Sequence, residues 1–389
     1  MTTAPTLARR TRLDVPLLVA GSAAFSISTL FSSMKPVLIA RFIEQADYSP
    51  GLAGLAAAMP FIGGACSSLL LPWALRRFSA GAAIMGFGLG LTIAEAGNAV
   101  WFASAPLLLL GQFVAGLCGG FLMGMVSQLI ATSSRSEESF GIVDTAGVLM
   151  MSLMIASVGA AVEGSGLRGG FLAAAALCLA FAMAMILCRN ALPAAPRHDN
   201  DEQRVPLRIG WRGFVVIAAG VVFVTFSGLG FAFMVTAARS LGFSYEDASF
   251  AIGIILFLSA TGCLAGGWCA ARFGPRSSLL AACALCALGW HVALTTGSQT
   301  VFLFALAPAI FALQFCFPIL LALTGPLDEE GRLAAIAAPL IVSGFAWAAI
   351  LAGIIVERWG LAALPSATGI GMIVCAGLVL AGTREPRAP

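Results

Sequence analysis

Lysine is all but missing from this 389-residue chain: Lys35 stands alone, and every other basic side chain is an arginine. Histidine and tyrosine occur twice each, and charged residues make up 10% of the sequence against 60% hydrophobic. That scarcity of charge excludes a soluble domain, whose surface needs far more polar cover. It also removes what most enzymes are built from. With two histidines, no aspartate-rich pair inside the apolar runs and no glycine-rich phosphate loop, an intramembrane enzyme acting on a lipid-linked substrate has no site to read. No catalytic residue, resident metal or cofactor is expected.

Apolar length is what the chain has in abundance, with a mean hydropathy of +0.98. Runs of about 20 apolar residues recur, each able to cross a hydrocarbon layer about 30 Å thick as a helix. The breaks between them predict spans at 15–39, 51–75, 80–102, 106–131, 140–162, 169–187, 213–237, 249–271, 277–296, 301–324, 333–356 and 361–381. The expectation is an all-α integral membrane protein of twelve transmembrane helices. An even number puts both termini on one side, and sixteen of the twenty-one basic residues then fall on that side. The positive-inside rule makes it the cytoplasmic side. The net charge of +3 is thus a topology signal and implies no nucleic-acid partner. The short N-terminal stretch, with its arginines and threonines, reads as a cytoplasmic lead-in, because no small-residue cleavage site follows a separate apolar region. Alanine- and glycine-rich helices with almost no lysine fit a GC-rich bacterial genome, so a multi-pass protein of the bacterial inner membrane is expected. All ten cysteines lie in spans or at their ends, which implies buried thiols and no disulfide framework.

The most polar interior stretch, Cys188 to Gly213, carries prolines and mixed charge without apolar periodicity. It divides the chain into a cytoplasmic N-terminus (1–14), a first six-helix bundle (15–188), a cytoplasmic linker (189–212), a second six-helix bundle (213–381) and a cytoplasmic C-terminus (382–389). The halves repeat each other. Trp73, Arg77 and Phe78 recur as Trp268, Arg272 and Phe273, each 195 positions later, at the end of the second span of each half. A parallel repeat of two pseudo-symmetric bundles follows.

The segment Gly267-Trp-Cys-Ala-Ala-Arg272-Phe-Gly274-Pro-Arg276 resembles the cytoplasmic loop signature of the major facilitator superfamily, G-x-x-x-D-R-x-G-x-[RK]. Gly267, Arg272, Gly274 and Arg276 match, and Ala271 replaces the usual aspartate. The first-half copy keeps Arg77 in register, with Arg76 at the acidic position. The resemblance implies two bundles rocking about a central site, with these residues as a cytoplasmic gate; glycines let helix ends turn and arginines hold carbonyls or lipid phosphates. Gln112 stands where many proton-coupled members carry an arginine. The fifth span lacks the glycine–proline pattern of the drug/proton antiporters. Compact members of this length often export, so the resemblance leans towards efflux.

Ionisable residues at membrane depth are functional candidates because of their cost. Three remain after loops and ends are removed: Lys35, Glu95 and Asp144. Lys35, about 30 Å along the first span, has two readings: an interfacial anchor whose ammonium reaches outward, or a cation that meets a substrate anion or a carboxylate. Ser26, Ser28, Thr29, Ser32, Ser33 and Pro36 make its helix polar and favour the second. Lysine can shed its charge on burial, which arginine cannot. Glu95, about fifteen residues into the third span, is the leading proton-coupling group, with a structural hydrogen bond or a Lys35 partnership as alternatives; Asp144 is a second. The preferred role for Asp144 is in the gate, pairing with Arg76, Arg77 or Arg135 in place of the acid missing from the loop. Further substrate contacts are expected from Ser32, Gln112, Thr225, Ser227 and Gln314, the last between Pro308 and Pro318 on a bendable helix.

The function expected is secondary active transport of a small organic solute, coupled to protons, by a monomer in a lipid bilayer. An alternative is a copper or other soft-metal importer, for which Cys283, Cys286, Met150, Met151 and Met154 would supply sulfur. A transport-silent sensor or scaffold is a further alternative, opposed by the absence of any sizeable soluble domain.

Overall fold

A computed structural model describes residues 14–131, 136–191, 210–323 and 332–382; within these helices a few side chains, those of Arg76 and Asp144 among them, lie outside the described set. The latch expected between Asp144 and Arg76, Arg77 or Arg135 therefore falls outside it, as does most of the 189–212 linker.

The described residues are helical throughout, with no strands. In order they form α1 (Val15–Gln45), α2 (Pro50–Arg77), α3 (Ala80–Trp101), α4 (Ala105–Ala131), α5 (Ser136–Cys188), α6 (Trp211–Ser240), α7 (Tyr245–Ser259), α8 (Thr261–Phe273), α9 (Pro275–Thr295), α10 (Gln299–Ala322), α11 (Arg332–Trp359) and α12 (Leu364–Gly382). Eleven segments among them are long and apolar enough to cross a membrane. One of these, the 44-residue Thr145–Cys188, is not a single rod. Gly166 takes φ +63°, and a methyl group placed on Gly170 would meet Val162 and Val158. Residues twelve apart would be about 18 Å apart on a straight helix, so the chain folds back at Gly166. Only glycine reaches that φ without strain.

Local chemistry explains the helix starts. Asp14, Ser49, Ser79 and Ser244 accept hydrogen bonds from the amides of Leu17, Leu52, Ala82 and Asp247, which otherwise have no partner. Pro50 and Pro275 open α2 and α9, where a missing N–H costs nothing. These starts carry the repeat further than the loop motif does: α2 and α7 begin 195 residues apart, as do α3 and α9. The aromatic pairs at the repeat repeat too. Trp73 and Phe78 pack edge to face at 6.1 Å and 82°, and Trp268 and Phe273 do so at 5.9 Å and 83°.

Helices before residue 191 meet helices after residue 210 at the end of the molecule remote from the two termini, here the distal end. Three crossings do this. Gly54 of α2 faces the Ala349 backbone and Gly353 of α11; Gly159 of α5 faces Ser249 of α7; and α1 meets α6 at a charged cluster. In that cluster Glu44 lies 3.6 Å from Arg41 and 3.5 Å from Arg239, and both guanidinium groups sit over the Tyr245 ring, at 5.0 and 4.7 Å. The Tyr245 amide donates to Glu163 at 2.7 Å. An ion pair this exposed is weak by itself, but two cations sharing one ring and one acid tie α1, α6 and α7 together, and the Glu163 hydrogen bond adds α5.

Two outcomes are expected. Gly116→Ala should lower the melting temperature of the detergent-solubilised protein by the equivalent of about 1–3 kcal/mol, because the added methyl would overlap the Pro60 backbone; Gly86→Ala, with nothing within 4 Å, should leave it unchanged. Glu44→Gln should speed hydrogen–deuterium exchange over residues 241–249 roughly three-fold or more, as the two arginines lose their shared acid.

Candidate functional site

The residues that sequence reasoning sets on one path are divided by the structure into separate places. The first is around Lys35. Helix α1 continues through Arg41 and Glu44 to Gln45, so Lys35 lies ten residues, about 15 Å, short of its distal end. Its side chain is 1% exposed. Pro36 leaves the Ser32 carbonyl without its helical donor, Ser33 donates to the Thr29 carbonyl at 3.0 Å, and Thr29 bridges to the Gly147 carbonyl at 3.5 Å. The ammonium does not reach outward as an interfacial anchor would. Nζ sits 4.8 Å from the Phe345 ring centroid, 5.2 Å from that of Phe61 and 5.7 Å from that of Phe231, and donates to the Phe345 carbonyl at 3.4 Å. Phe345 itself packs against both other rings, at 6.1 Å and 6.2 Å. Phe61 comes from α2, Phe231 from α6 and Phe345 from α11, so both halves of the chain build the cage. No carboxylate pairs with Lys35 among the described residues.

The second place is around Glu95 on α3, which is fully enclosed. Asn98, Gln112 of α4 and Cys178 of α5 lie beside its carboxyl group. Both Glu95 oxygens, Asn98 Nδ2 and Gln112 Nε2 are buried without a hydrogen bond of normal geometry. Asn98 does accept one from the Trp101 indole at 3.2 Å. Gln112, expected beside a substrate, is instead a neighbour of this acid. Glu95 forms no ion pair with Lys35, and the partnership considered for the two is not made in this arrangement.

The remaining polar expectations scatter. Ser32 is buried one turn before Lys35. Thr225 and Ser227 are buried on α6 with hydroxyl groups lacking partners, Ser227 beside Cys286. Gln314 is half-buried on α10 and packs towards Gly262 of α8. Arg77, Gly267, Arg272 and Arg276 are exposed and Gly274 is half-buried, all at the end nearer the termini, away from both polar centres. Cys283 and Cys286 gather with Cys316 and Cys375 in the interior of α9, α10 and α12. Among the described residues, however, no three or more histidine, cysteine or acidic side chains are set to hold a metal ion.

Several residues escaped the sequence reading. Phe61, Phe231 and Phe345 carry no signal among 27 phenylalanines. Glu44 and Arg239 did carry one: they stand 195 positions apart, so the repeat places opposite charges at matching helix ends. Asn98 was visible only as a polar residue near Glu95.

Solved structures share this arrangement. The nucleoside transporter NupG superposes with a TM-score of 0.74 at 13% identity, over 97% of this chain and 100% of that one. A D-xylose–proton symporter gives 0.73 at 16%, over 94% and 96%. A bacterial homologue of the human lysosomal transporter Spinster, inward-facing and occupied, gives 0.74 at 16%, over 95% and 98%. At these identities the likeness is one of fold. The sequence matches no curated protein. The pattern of the Major Facilitator Superfamily, in contrast, matches residues 17–326. With a helical membrane fold shared with its transporters and a family match over most of its length, this chain belongs to the Major Facilitator Superfamily and is a membrane solute transporter.

Proposed function

We propose that the chain crosses a bacterial inner membrane twelve times as two six-helix bundles, with both termini cytoplasmic, and carries a small organic anion across it coupled to protons. The helix starts that recur 195 residues apart and the fold-back at Gly166 support the twelve crossings, since the 44-residue segment then counts as two. The bias of arginines towards the termini supports the orientation and makes the distal end periplasmic.

The observation that carries the substrate reading is Lys35: a buried ammonium where the halves meet, with three ring faces and one carbonyl in place of an acid. Ring faces offset part of the cost of a buried charge, while a negative ion offsets more. A solute bearing one anionic group would therefore take over Lys35 as the halves part far enough for Phe231 and Phe345 to release the ammonium. Glu95 is the proton carrier in this reading. An ionised carboxyl group at membrane depth costs about 3 kcal/mol, and unpartnered Asn98 and Gln112 amides are placed to receive its charge when the proton leaves. Glu95 and Lys35 occupy different places, so proton and solute would be linked through the movement of the first bundle and not by direct exchange between the two groups. The D-xylose–proton symporter named above has the same fold, which makes that kind of coupling compatible with this one.

In proteoliposomes with an imposed pH gradient, Glu95→Gln is expected to abolish gradient-driven accumulation of an organic anion while counterflow exchange continues; accumulation equal to wild type would remove Glu95 from the coupling. Lys35→Ala is expected to cut anion flux about 100-fold, and anion flux that survives intact would end the substrate reading.

A further inference from the structure

The cage around Lys35 contains information about what the anion must be attached to. The geometry points to a specific substrate class: a monocarboxylate with a flat aromatic body, with Phe61, Phe231 and Phe345 as specificity-determining residues. This rests on the reading of Lys35 as the substrate's counter-charge and narrows it.

Three features of the site lead there. The first is charge count. Lys35 is the only cation within reach of the three rings among the described residues, and its neighbours Phe61, Phe231 and Phe345 present π faces to it. Those faces carry the negative part of the ring quadrupole, which attracts an ammonium and repels an anion. A substrate with a second carboxylate would have to place it against these faces or against the apolar helices behind them. One charge is matched and two are not.

The second feature is the wall. Among the described residues, the contacts of Nζ other than the Phe345 carbonyl are aromatic. The rings meet one another at tilts of 31° and 56° with centroids about 6 Å apart, so their faces are inclined to one another around the ammonium. An aromatic body entering beside the ammonium would stack on one ring and meet the edge of another, whereas an aliphatic body of equal area would gain burial alone.

The third feature is where the rings come from. Phe61 belongs to the first half, and Phe231 and Phe345 to the second. A body held between them is gripped by both halves at once, and a ring that serves one half as a wall serves the other as a lid. The closed cage is then the form the site takes without substrate, with Lys35 itself occupying the space between the rings.

The test is direct binding of radiolabelled phenylacetate to the purified protein in detergent, because protonated weak acids cross bilayers unaided and would blur a flux measurement. Competitors are phenylacetamide (neutral), phenylmalonate (two charges), butyrate (no ring) and phenethylammonium (opposite charge). Phenylacetate is expected to outcompete each of them by roughly ten-fold or more. Lys35→Met should abolish binding. Phe345→Leu, which keeps apolar volume and removes the ring, should weaken phenylacetate about ten-fold and leave butyrate within about two-fold. Binding as tight for phenylacetamide or phenylmalonate, an unchanged phenylacetate-to-butyrate ratio in Phe345→Leu, or no phenylacetate binding by correctly folded wild type would each overturn the inference. Phe61→Leu gives a second reading of the ratio should Phe345→Leu fail to fold. The broader transport reading fails separately: it falls if phenylacetate binds as expected but no pH gradient drives any anion, and it survives if another anion is driven through Lys35 while phenylacetate does not compete.

Discussion

Burying one ammonium group with no acid beside it among the described residues is the constraint on which the rest of this molecule turns. A lone charge at membrane depth is tolerated only where its surroundings answer it, and here the answer comes from both halves of the chain: Phe61 on one side, Phe231 and Phe345 on the other, and the Phe345 carbonyl at 3.4 Å. The closure of α2 on α11 and of α1 on α6 is therefore tied to the electrostatics of one side chain. Separate the halves at this level and Lys35 loses two of its three rings. Whatever state follows must supply a replacement. In the function proposed above, that replacement is the solute's anionic group.

The distal cluster works by the same logic with less burial. Arg41 and Arg239 both lie over the ring of one tyrosine and share Glu44, while Glu163 holds the Tyr245 backbone. Solvent reaches these charges, so each contact is weak and reversible. The glycine contacts between α2 and α11 and between α5 and α7 are different in kind. Backbones approach directly there, without long side chains between them. Such contacts can slide or part without rearranging a core.

Much of the fold was legible because hydropathy, glycine placement and charge bias report on bilayer crossing directly. The expected spans and the observed helices share their cores, and the 195-residue repeat was visible in three residues before it appeared in helix starts. Helix α1 shows where the signal stops. Hydropathy ends near residue 39, yet the helix runs on through Arg41 and Glu44 because those charges face one another and the partner half, not lipid. The polar centres were half legible. Lys35 and Glu95 stood out because ionisable groups are rare at that depth, but their surroundings did not. A phenylalanine beside a lysine and a phenylalanine facing lipid look alike in sequence, and the three rings come from positions as far apart as 61 and 345. Gln112 was given to the substrate because its helix was expected to line the cavity, whereas the side chain faces sideways, to α3.

The repeat also reveals an imbalance. Moving 195 residues along from Lys35 arrives at Gly230, and from Glu95 at Trp290; a methyl group on Gly230 would collide with the Trp290 ring, which is itself buried. The second copy thus fills with indole and bare backbone the positions that the first copy gives to Lys35 and Glu95. An ancestral duplication would have begun with identical copies. Their divergence at these matched sites has left Lys35 and Glu95 in one copy and an indole packed on bare backbone in the other, so a protein built from twins is chemically lopsided.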